Sequence, residues 1–261
     1  MLVWSDTGEG QITITAPDRP ALLEDLHDRM VAGRGFAVAT LNLDHVVKLR
    51  SDAAFRAAYA RHSHVTADGN PIVWFSRLAG QPEVGLIPGS ELIDPVAALA
   101  ARSDTPVALL GATEPALAAA AAALETRHPG LRVVLQLAPP MGFDPAGDTA
   151  TRAIDAIRDS GAGLVLLALG APKQERFAAR ALEALPNVGF LSIGAGLDFI
   201  AGTQRRAPAW VRAIAAEWLW RMLSNPRRLA ARYGACLLLL PGLLGRALGA
   251  RLRPDTRLSR E

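Results

Sequence analysis

One carboxylate of the sequence, Asp68, stands where a general base could act. It lies in the run TADGNP, after a short apolar stretch and before a Gly-Asn-Pro turn. A carboxylate at the edge of a sheet can take a proton from an attacking hydroxyl group. An aspartate in this position is also typical of the N-cap of a helix over residues 71–78. On this local pattern alone, the N-cap is the favoured interpretation.

An amide side chain, Gln174, is the second candidate for chemistry. It belongs to the run GAPKQE, which follows an apolar stretch. Proline is common in the first turn of a helix, so a helix beginning at Pro172 places Gln174 in its first turn. From there the amide could reach a ligand at the end of the preceding strand. The alternative is an exposed glutamine beside an exposed Lys173.

Four predicted strands end in turns of glycine or small polar residues that lead into helices. These turns cover residues 40–44, 111–114, 170–175 and 194–199. Backbone N–H groups at the start of a helix suit phosphate oxygens. Any one such turn is ordinary for a strand-to-helix connection, but the four together favour a nucleotide or another phosphate ligand. In open parallel sheets, ligands bind beyond the carboxyl ends of the strands.

The elements that must position these residues alternate between strands and helices. The runs VALLG and LVLLALG are apolar throughout, as strands buried on both faces are. We therefore predict an α/β fold, with a Rossmann-like, mostly parallel sheet flanked by helices and a C-terminal helical basic appendage. The predicted strands cover residues 11–15, 36–41, 107–110, 132–137, 164–169 and 188–193. The predicted helices cover residues 19–32, 43–61, 71–78, 91–101, 114–126, 151–159 and 173–184.

The charge of the chain is divided unevenly along its length. The 261 residues carry 28 basic and 25 acidic side chains, a net charge of +3. From residue 205 onward there are 12 arginines and three acids, a balance of +9, so the first 204 residues balance at −6. Because the composition also changes after Gly202, we divide the chain into an α/β domain over residues 1–202 and a helical Arg/Trp-rich appendage over residues 203–261.

The appendage has features of a membrane-binding segment. Each basic residue near an anionic lipid surface contributes about 1 kcal/mol, and the run 235–244 could insert shallowly. The apolar run 233–244 is too short to span a bilayer, which needs roughly 20 residues. Alternatively, Trp210, Trp218 and Trp220 pack against the domain, the arginines form a solvated face, or the leucines form a homo-oligomer contact. No nucleic-acid-binding module is recognisable, so nucleic acid is not an expected partner.

Several classes of protein are disfavoured by what the sequence lacks. A single cysteine cannot form an internal disulfide, and the five histidines show no zinc-ligand spacing. There is no Asp-X-Asp triplet, Walker motif or Gly-X-Ser-X-Gly elbow, and GAGLDF lacks the third glycine of a dinucleotide fingerprint. We therefore expect no metal, no cofactor and no oxidoreductase activity. The N-terminal residues lack the features of a signal peptide, which favours a cytoplasmic protein.

The ordered motifs resemble those of the WecG/TagA/CpsF glycosyltransferase family. The resemblance rests on TLNLDHVV, ADG, PGSEL, LGAPKQE, GAGLDFIAGTQRRAP and EWLWRMLSNPRRLAARY, and it covers roughly residues 36–233. It implies an inverting, metal-independent enzyme that transfers a sugar from a UDP-sugar to a polyprenyl-diphosphate-linked sugar. Such an enzyme would make surface polysaccharide precursors on the inner face of the cytoplasmic membrane. The alternative is a non-catalytic, membrane-docked subunit that binds a nucleotide sugar for a polysaccharide assembly complex.

The resemblance also assigns roles to individual residues. It implies that Asp68 of ADG is the catalytic base, which takes the proton of the acceptor hydroxyl. Thr40 and Asn42 would line the pocket of donor and acceptor. Gln174 would lie near the diphosphate or the sugar, and Asp198 would hold the uridine.

In the appendage, the resemblance points to arginines that close over the site and meet the diphosphate. The candidates are Arg212, Arg221 and Arg228. Many relatives carry an arginine shortly before the Gly-Ser-Asp/Glu segment, whereas this chain has Leu86 there. We expect either that another arginine, such as Arg77 or one from the appendage, supplies that charge, or that the donor's contacts differ.

Overall fold

A computed structural model of the chain describes residues 2–7, 10–203, 208, 220 and 226–252. Its centre is a six-stranded sheet in which every neighbouring pair of strands is parallel. In chain order the sheet strands are β3 (Phe36–Leu41), β4 (His64–Ala67), β5 (Val107–Gly111), β6 (Val133–Leu137), β7 (Leu164–Ala168) and β8 (Gly189–Ser192). Their order across the sheet is β4-β3-β8-β7-β5-β6, and a separate antiparallel hairpin joins β1 (Ser5–Thr7) to β2 (Gly10–Ile12).

Helices cover both faces of this sheet. On one face, residues of α1, α5, α6 and α9 share a core with alternate residues of the strands. On the other face, the core is formed by residues of α2, α3, α7 and α8. The helices of the α/β part are α1 (Arg19–Val31), α2 (Leu43–Ser51), α3 (Ala53–Ala60), α4 (Asn70–Leu78), α5 (Gly89–Arg102), α6 (Glu114–Arg127), α7 (Asp148–Ser160), α8 (Lys173–Ala184) and α9 (Gly196–Ile200). The predicted α/β class with a parallel sheet is confirmed.

The alternation of side chains along β3 shows how the sheet is covered. Phe36 and Val38 face the core with α1 and α5, whereas Ala37 and Ala39 face the opposite side. Every residue of β3 is buried, as expected for a strand between two neighbours in a parallel sheet. α2, which follows β3, lies on one face of the sheet, and α9, which follows the adjacent strand β8, lies on the other. A crevice is expected between two strands whose connections diverge in this way.

Two predicted elements differ markedly from the structure, and one strand of the sheet was not predicted. The predicted helix over residues 43–61 is two helices, because Asp52 ends α2 and its side chain accepts a hydrogen bond from the Phe55 N–H at the start of α3. The predicted strand over residues 11–15 is only the short β2, outside the main sheet. β4 was not predicted, because a four-residue run with two polar side chains gives little pattern.

The C-terminal helix, α10 (Pro226–Leu252), packs one face against α2 and α4. Its inward side chains follow helical spacing and are buried: Cys236, Leu239, Leu243 and Ala247. Its exposed side chains include five leucines and three arginines: Leu237, Leu238, Leu244, Leu248, Leu252, Arg232, Arg246 and Arg251. Among the described residues, one stretch, Arg232–Leu252, is long and apolar enough to cross a membrane by length and composition. The helix thus continues the short apolar run 233–244 by eight residues.

Candidate active site

Two of the predicted site residues meet at the carboxyl ends of β3 and β4. These strands pair in register, with Thr40 opposite Thr66 and Leu41 opposite Ala67. The hydroxyl of Thr40 lies 3.5 Å from the Asp68 carboxylate, and the Asp68 backbone N–H donates to the Leu41 carbonyl at 2.7 Å. Thr40 is buried, whereas Asp68 is half-buried. The carboxylate therefore stands at the rim of the sheet, where a substrate can approach.

Asp68 is not the N-cap of the following helix. α4 begins at Asn70, and its N-cap is Gly69, which makes no side-chain capping hydrogen bond. Gly69 has a φ of +110°, a backbone conformation that a residue with a side chain rarely adopts. The local pattern favoured a capping role for Asp68, and that interpretation is wrong because the chain turns through Gly69 before the helix starts.

Asn42 follows β3 directly and caps α2. Its side-chain oxygen accepts a hydrogen bond from the His45 backbone N–H at 3.1 Å. The cap fixes the direction in which α2 leaves the sheet, beside Thr40. Asn42 therefore lies at the same strand end as Thr40, and its side-chain oxygen points toward the N-terminus of α2.

The N-terminus of α5 converges on the same edge. A Cβ atom added to Gly89 would lie 2.5 Å from the Ser192 carbonyl oxygen and 3.2 Å from the Thr40 methyl carbon. Only glycine permits this approach, so the first turn of α5 packs against the ends of β3 and β8. A helix N-terminus carries partial positive charge and backbone donors that suit anionic groups.

Gln174 joins the ends of β7 and β8. Its side-chain oxygen accepts from the Gly194 backbone N–H at 3.1 Å, and its side-chain nitrogen donates to the Glu175 carboxylate at 2.8 Å. Gln174 is only 3% exposed, so the alternative of a surface glutamine is wrong. One of its two amide N–H groups donates to Glu175, and its oxygen accepts from Gly194. The side chain therefore lies between the turn after β7 and the turn after β8.

Glu175 and its surroundings were not predicted from the sequence. Glu175 is fully buried, and burial raises the pKa of its carboxyl group to about 7. The His45 Nε2 atom lies 4.0 Å from this carboxylate, while Nδ1 lies 3.0 Å from the Tyr59 hydroxyl. Burial lowers the pKa of His45 to about 3. Burial also raises the pKa of Tyr59, and the charges of Glu175 and Asp68 add to that shift.

The helical spacing of α8 contained a signal for this burial. Gln174 and Glu175 share a helix face with Ala178 and Ala181, which are buried, as is Phe177. Residues three and four apart lie on one face of a helix. The apolar spacing therefore places both polar side chains inside the protein, although a glutamate in a first helical turn is usually exposed.

An ion-pair cluster connects α10 to the turn after β7. The Asp44 carboxylate pairs with Arg232 of α10 at 2.9 Å and with Lys48 of α2. The Lys48 ammonium group also donates to the Ala171 carbonyl at 3.1 Å. The C-terminal helix is thus linked through two side chains to the segment that leads into Gln174.

The remaining predicted site residues are placed as follows. Asp198 lies in the first turn of α9, where the Thr203 hydroxyl is 3.1 Å from its carbonyl oxygen and 3.3 Å from its carboxylate. Arg212 and Arg221 lie outside the described residues. The backbone of Arg228 belongs to α10, and its side chain lies outside the described part of the structure. Among the described residues, no three His, Cys, Asp or Glu side chains gather as a metal site would require.

The surroundings of Leu86 contain an arginine that sequence reasoning missed. The Arg77 side chain donates to the Val84 carbonyl at 3.0 Å. Arg19 instead reaches the segment before α5: its guanidinium lies 3.5 Å from the Leu86 carbonyl and pairs with Glu91 at 2.9 Å. Within the described part of the chain, the guanidinium of Arg19 is thus in contact with the Leu86 carbonyl. Arg19 lies 67 residues before Leu86 in the sequence.

Comparison with known proteins agrees with this geometry. The model of the Glycosyl transferase WecG/TagA/CpsF family matches residues 10–257. Two similar proteins come from Staphylococcus aureus strains MW2 and NCTC 8325, and each is 28% identical over 193 residues. The match covers 74% of this chain and 73% of each relative, and both are named N-acetylglucosaminyldiphosphoundecaprenol N-acetyl-beta-D-mannosaminyltransferase. The chain belongs to the WecG/TagA/CpsF family and is a glycosyltransferase.

Proposed function

We propose that this enzyme transfers a sugar from a UDP-sugar to a sugar carried by a polyprenyl diphosphate, with inversion and without a bound metal. The observation that carries the proposal is the half-buried Asp68 carboxylate at the sheet edge, beside Thr40 and before Gly69, the N-cap residue of α4. The names of the two relatives describe an acceptor of this class, a diphosphoundecaprenol-linked N-acetylglucosamine. The product would be a precursor of a surface polysaccharide.

Asp68 acts as the general base in this mechanism. Its carboxylate takes the proton of an acceptor hydroxyl while that oxygen forms a bond to the anomeric carbon of the donor. The bond from the anomeric carbon to the UDP oxygen breaks on the opposite side, and its electron pair leaves with UDP. Thr40 lies within 3.5 Å of the base and can orient it, since its hydroxyl can donate to a carboxylate oxygen.

A single displacement of this kind inverts the anomeric centre. The names of the relatives describe a β-linked mannosaminyl product. Displacement of UDP from an α-linked donor on the opposite face gives a β linkage. Inversion therefore accounts for the product of the relatives if their donor is α-linked, and we extend it to this chain.

The developing charge on UDP needs positive groups at the carboxyl edge. The N-terminus of α5 approaches the ends of β3 and β8 and can supply backbone donors. In our proposal Asn42 and Gln174 help to shape the pocket, and Asp198 holds the uridine. Arg212, Arg221 and Arg228 bring guanidinium groups to the diphosphate, a geometry in which arginine can bind two oxygens at once.

We further propose that α10 rests on the inner face of the cytoplasmic membrane. Its outward leucines form an apolar face, and Leu238 and Leu252 are 84% and 82% exposed. Its inward residues Leu239 and Leu243 belong to the protein core, so the helix cannot leave the domain to cross the bilayer without exposing them. A helix packed on one face and apolar on the other suits the membrane interface. In this arrangement residues 203–261 serve as the membrane-associating appendage of the catalytic domain over residues 1–202.

The test of the reaction is UDP release from a panel of UDP-sugars, beginning with UDP-N-acetylmannosamine, and short prenyl-diphosphate-linked N-acetylglucosamine in lipid. We expect one donor to give acceptor-dependent UDP release that persists in EDTA, and a β-linked product by NMR. No release with any pairing from folded enzyme would refute the transferase proposal for this acceptor class. Activity that EDTA abolishes and Mg²⁺ restores would contradict metal independence.

The membrane proposal is tested by flotation with vesicles that contain anionic lipid. Leu238→Gln combined with Leu252→Gln should reduce bound protein several-fold, because two large apolar side chains leave the interface. Val31→Gln is the matched control, since Val31 is also exposed but lies on α1. Equal binding by the double variant and the control would exclude α10 as the contact.

A further inference from the structure

We propose that Glu175 is a positioning residue that fixes the orientation of the Gln174 amide, and that Gln174 thereby fastens the turn after β8 to the turn after β7. The inference extends the proposed function in one respect, since the fastened turns line the edge where we place the donor diphosphate. Its structural part is independent of any substrate. Glu175, the fully buried carboxylate at this edge of the sheet, thereby acquires a structural role.

The contacts of the carboxylate are sparse and directional. Glu175 Oε1 accepts the 2.8 Å hydrogen bond from the Gln174 amide nitrogen. Glu175 Oε2 is buried and has no hydrogen-bond partner within the parts of the chain that the structure describes. A buried carboxylate with one oxygen unsatisfied is costly, and a well-packed apolar side chain would avoid that cost. Stability alone therefore does not explain a glutamate at this position.

A carboxylate can specify which way an amide points. An ionised carboxylate only accepts hydrogen bonds, and in a protonated carboxyl group one of the two oxygens still only accepts, whereas the two ends of a glutamine amide are a donor and an acceptor of similar shape. Facing Glu175, the amide must present its nitrogen, so its oxygen must point away. That oxygen is the atom that receives the Gly194 N–H at 3.1 Å. A flipped amide would lose both hydrogen bonds, because its nitrogen would face the Gly194 N–H and its oxygen would face the carboxylate, and without Glu175 the second of these penalties disappears.

The turn that Gln174 holds is tightly packed against the site. Gly194 has a φ of +56° and lies two residues after the end of β8, at the bend between the strand and α9. The Ser192 carbonyl, two residues earlier, is the atom that excludes a side chain at Gly89 of α5. Movement of this turn would shift the α5 N-terminus relative to Thr40. Errors of about 1 Å in such positions can cost about a hundredfold in rate.

Among the described side chains around Glu175, the Gln174 amide is the one that donates a hydrogen bond to it. From α2, His45 approaches to 4.0 Å, and Lys48 and Asp44 act at longer range with opposite effects on its pKa. From α3, Tyr59 bonds to His45 rather than to Glu175. Because burial lowers the pKa of His45 to about 3, its ring is neutral at physiological pH and does not form an ion pair with the carboxylate.

A double-mutant cycle tests whether Glu175 acts through Gln174. Gln174→Ala and Glu175→Ala should each lower kcat/KM for the donor at least about tenfold, and the double variant should be no worse than Gln174→Ala alone. Glu175→Gln should restore most of the loss, because the Gly194 N–H still selects the Gln174 oxygen and the carbonyl of the new amide can accept from the Gln174 nitrogen. Glu183→Ala is the matched control on α8, since the Glu183 side chain is 69% exposed.

Multiplicative losses in the double variant would overturn the inference, as would a Glu175→Gln variant as slow as Glu175→Ala. A second measurement needs no substrate and covers poor folding of the alanine variant. In ¹H–¹⁵N NMR spectra of folded Glu175→Gln and Glu175→Leu, the Gln174 side-chain amide and the Gly194 backbone amide should keep their wild-type shifts only in the glutamine variant. Unchanged shifts in the leucine variant would reject the inference even if no donor sugar is ever found.

Discussion

Two carboxylates at the same edge of the sheet lie in opposite surroundings. Asp68 follows β4 at the rim, half-buried and within 3.5 Å of the Thr40 hydroxyl. Glu175 lies in the first turn of α8, fully buried and bonded to Gln174. Only the first can touch a substrate without rearrangement of the protein. At this edge of the sheet, exposure thus distinguishes a carboxylate that can act as a base from one that acts through its neighbour.

The largest expected effect is on turnover at the exposed carboxylate. Asp68→Asn keeps the shape of the side chain but removes the proton acceptor, so kcat should fall at least about a hundredfold. Asp104→Asn is the matched control, because Asp104 precedes β5 at the opposite edge and its side chain is 84% exposed. UDP release measured side by side provides the comparison. An Asp68→Asn enzyme as fast as the control would remove Asp68 from the base role.

The second-largest expected effect is on the pH dependence of the free energy of unfolding, through the buried carboxyl group of Glu175. Because burial raises the pKa of Glu175 from 4.5 to about 7, the native state holds this proton more tightly than the unfolded state. Its stabilising contribution is complete below about pH 4.5 and is lost as the pH rises to about 7. Relative to wild type, Glu175→Gln should therefore gain unfolding free energy across this window, by a few kcal/mol at most.

Urea unfolding at a series of pH values measures this difference. Glu183→Gln is the matched control, since Glu183 is an exposed glutamate on the same helix. The difference between Glu175→Gln and wild type should be constant above about pH 8 and below about pH 4. A constant difference across the whole range would show that Glu175 titrates normally, and the contrast between the two carboxylates would fail.

The smallest effect is expected at the hydroxyl beside the base. Thr40→Val keeps the buried shape but removes a donor that lies 3.5 Å from Asp68. A hydrogen bond this long contributes at the low end of the usual range, about 0.5–1 kcal/mol, so kcat should fall about two- to fivefold. Ser63→Ala serves as a control hydroxyl at the amino end of β4. A hundredfold loss in Thr40→Val would indicate that Thr40 contacts the substrate directly.

Continuous apolar runs made the centre of the fold predictable from the sequence. The bounds predicted for β3 and α8 agree with the structure at both ends, because a fully buried strand and a proline-initiated helix leave clear patterns. The break at Asp52 was missed because a cap inside a long helical pattern appears only when its side chain meets the Phe55 N–H. Strand β4 was too short and too polar to recognise.

The site was predictable only where a residue stands in a motif. Asp68, Thr40 and Gln174 were identified in advance, but not their arrangement, since the pairing of β3 with β4 depends on a strand that was missed. The burial of Glu175 depends on packing between α8, α2 and the sheet, which joins distant parts of the sequence. Arg19 likewise reaches Leu86 across 67 residues.

The most direct test of the contrast is single-turnover transfer, with enzyme in excess over a limiting lipid-linked acceptor and with saturating donor, for Asp68→Asn, Glu175→Gln and wild type. Single turnover reports the chemical step without product release. We expect Asp68→Asn to slow transfer at least about a hundredfold, whereas Glu175→Gln, which keeps the hydrogen bond to Gln174, should stay within about threefold of wild type. Equal slowing of both variants, or a slower Glu175→Gln, would contradict this expectation.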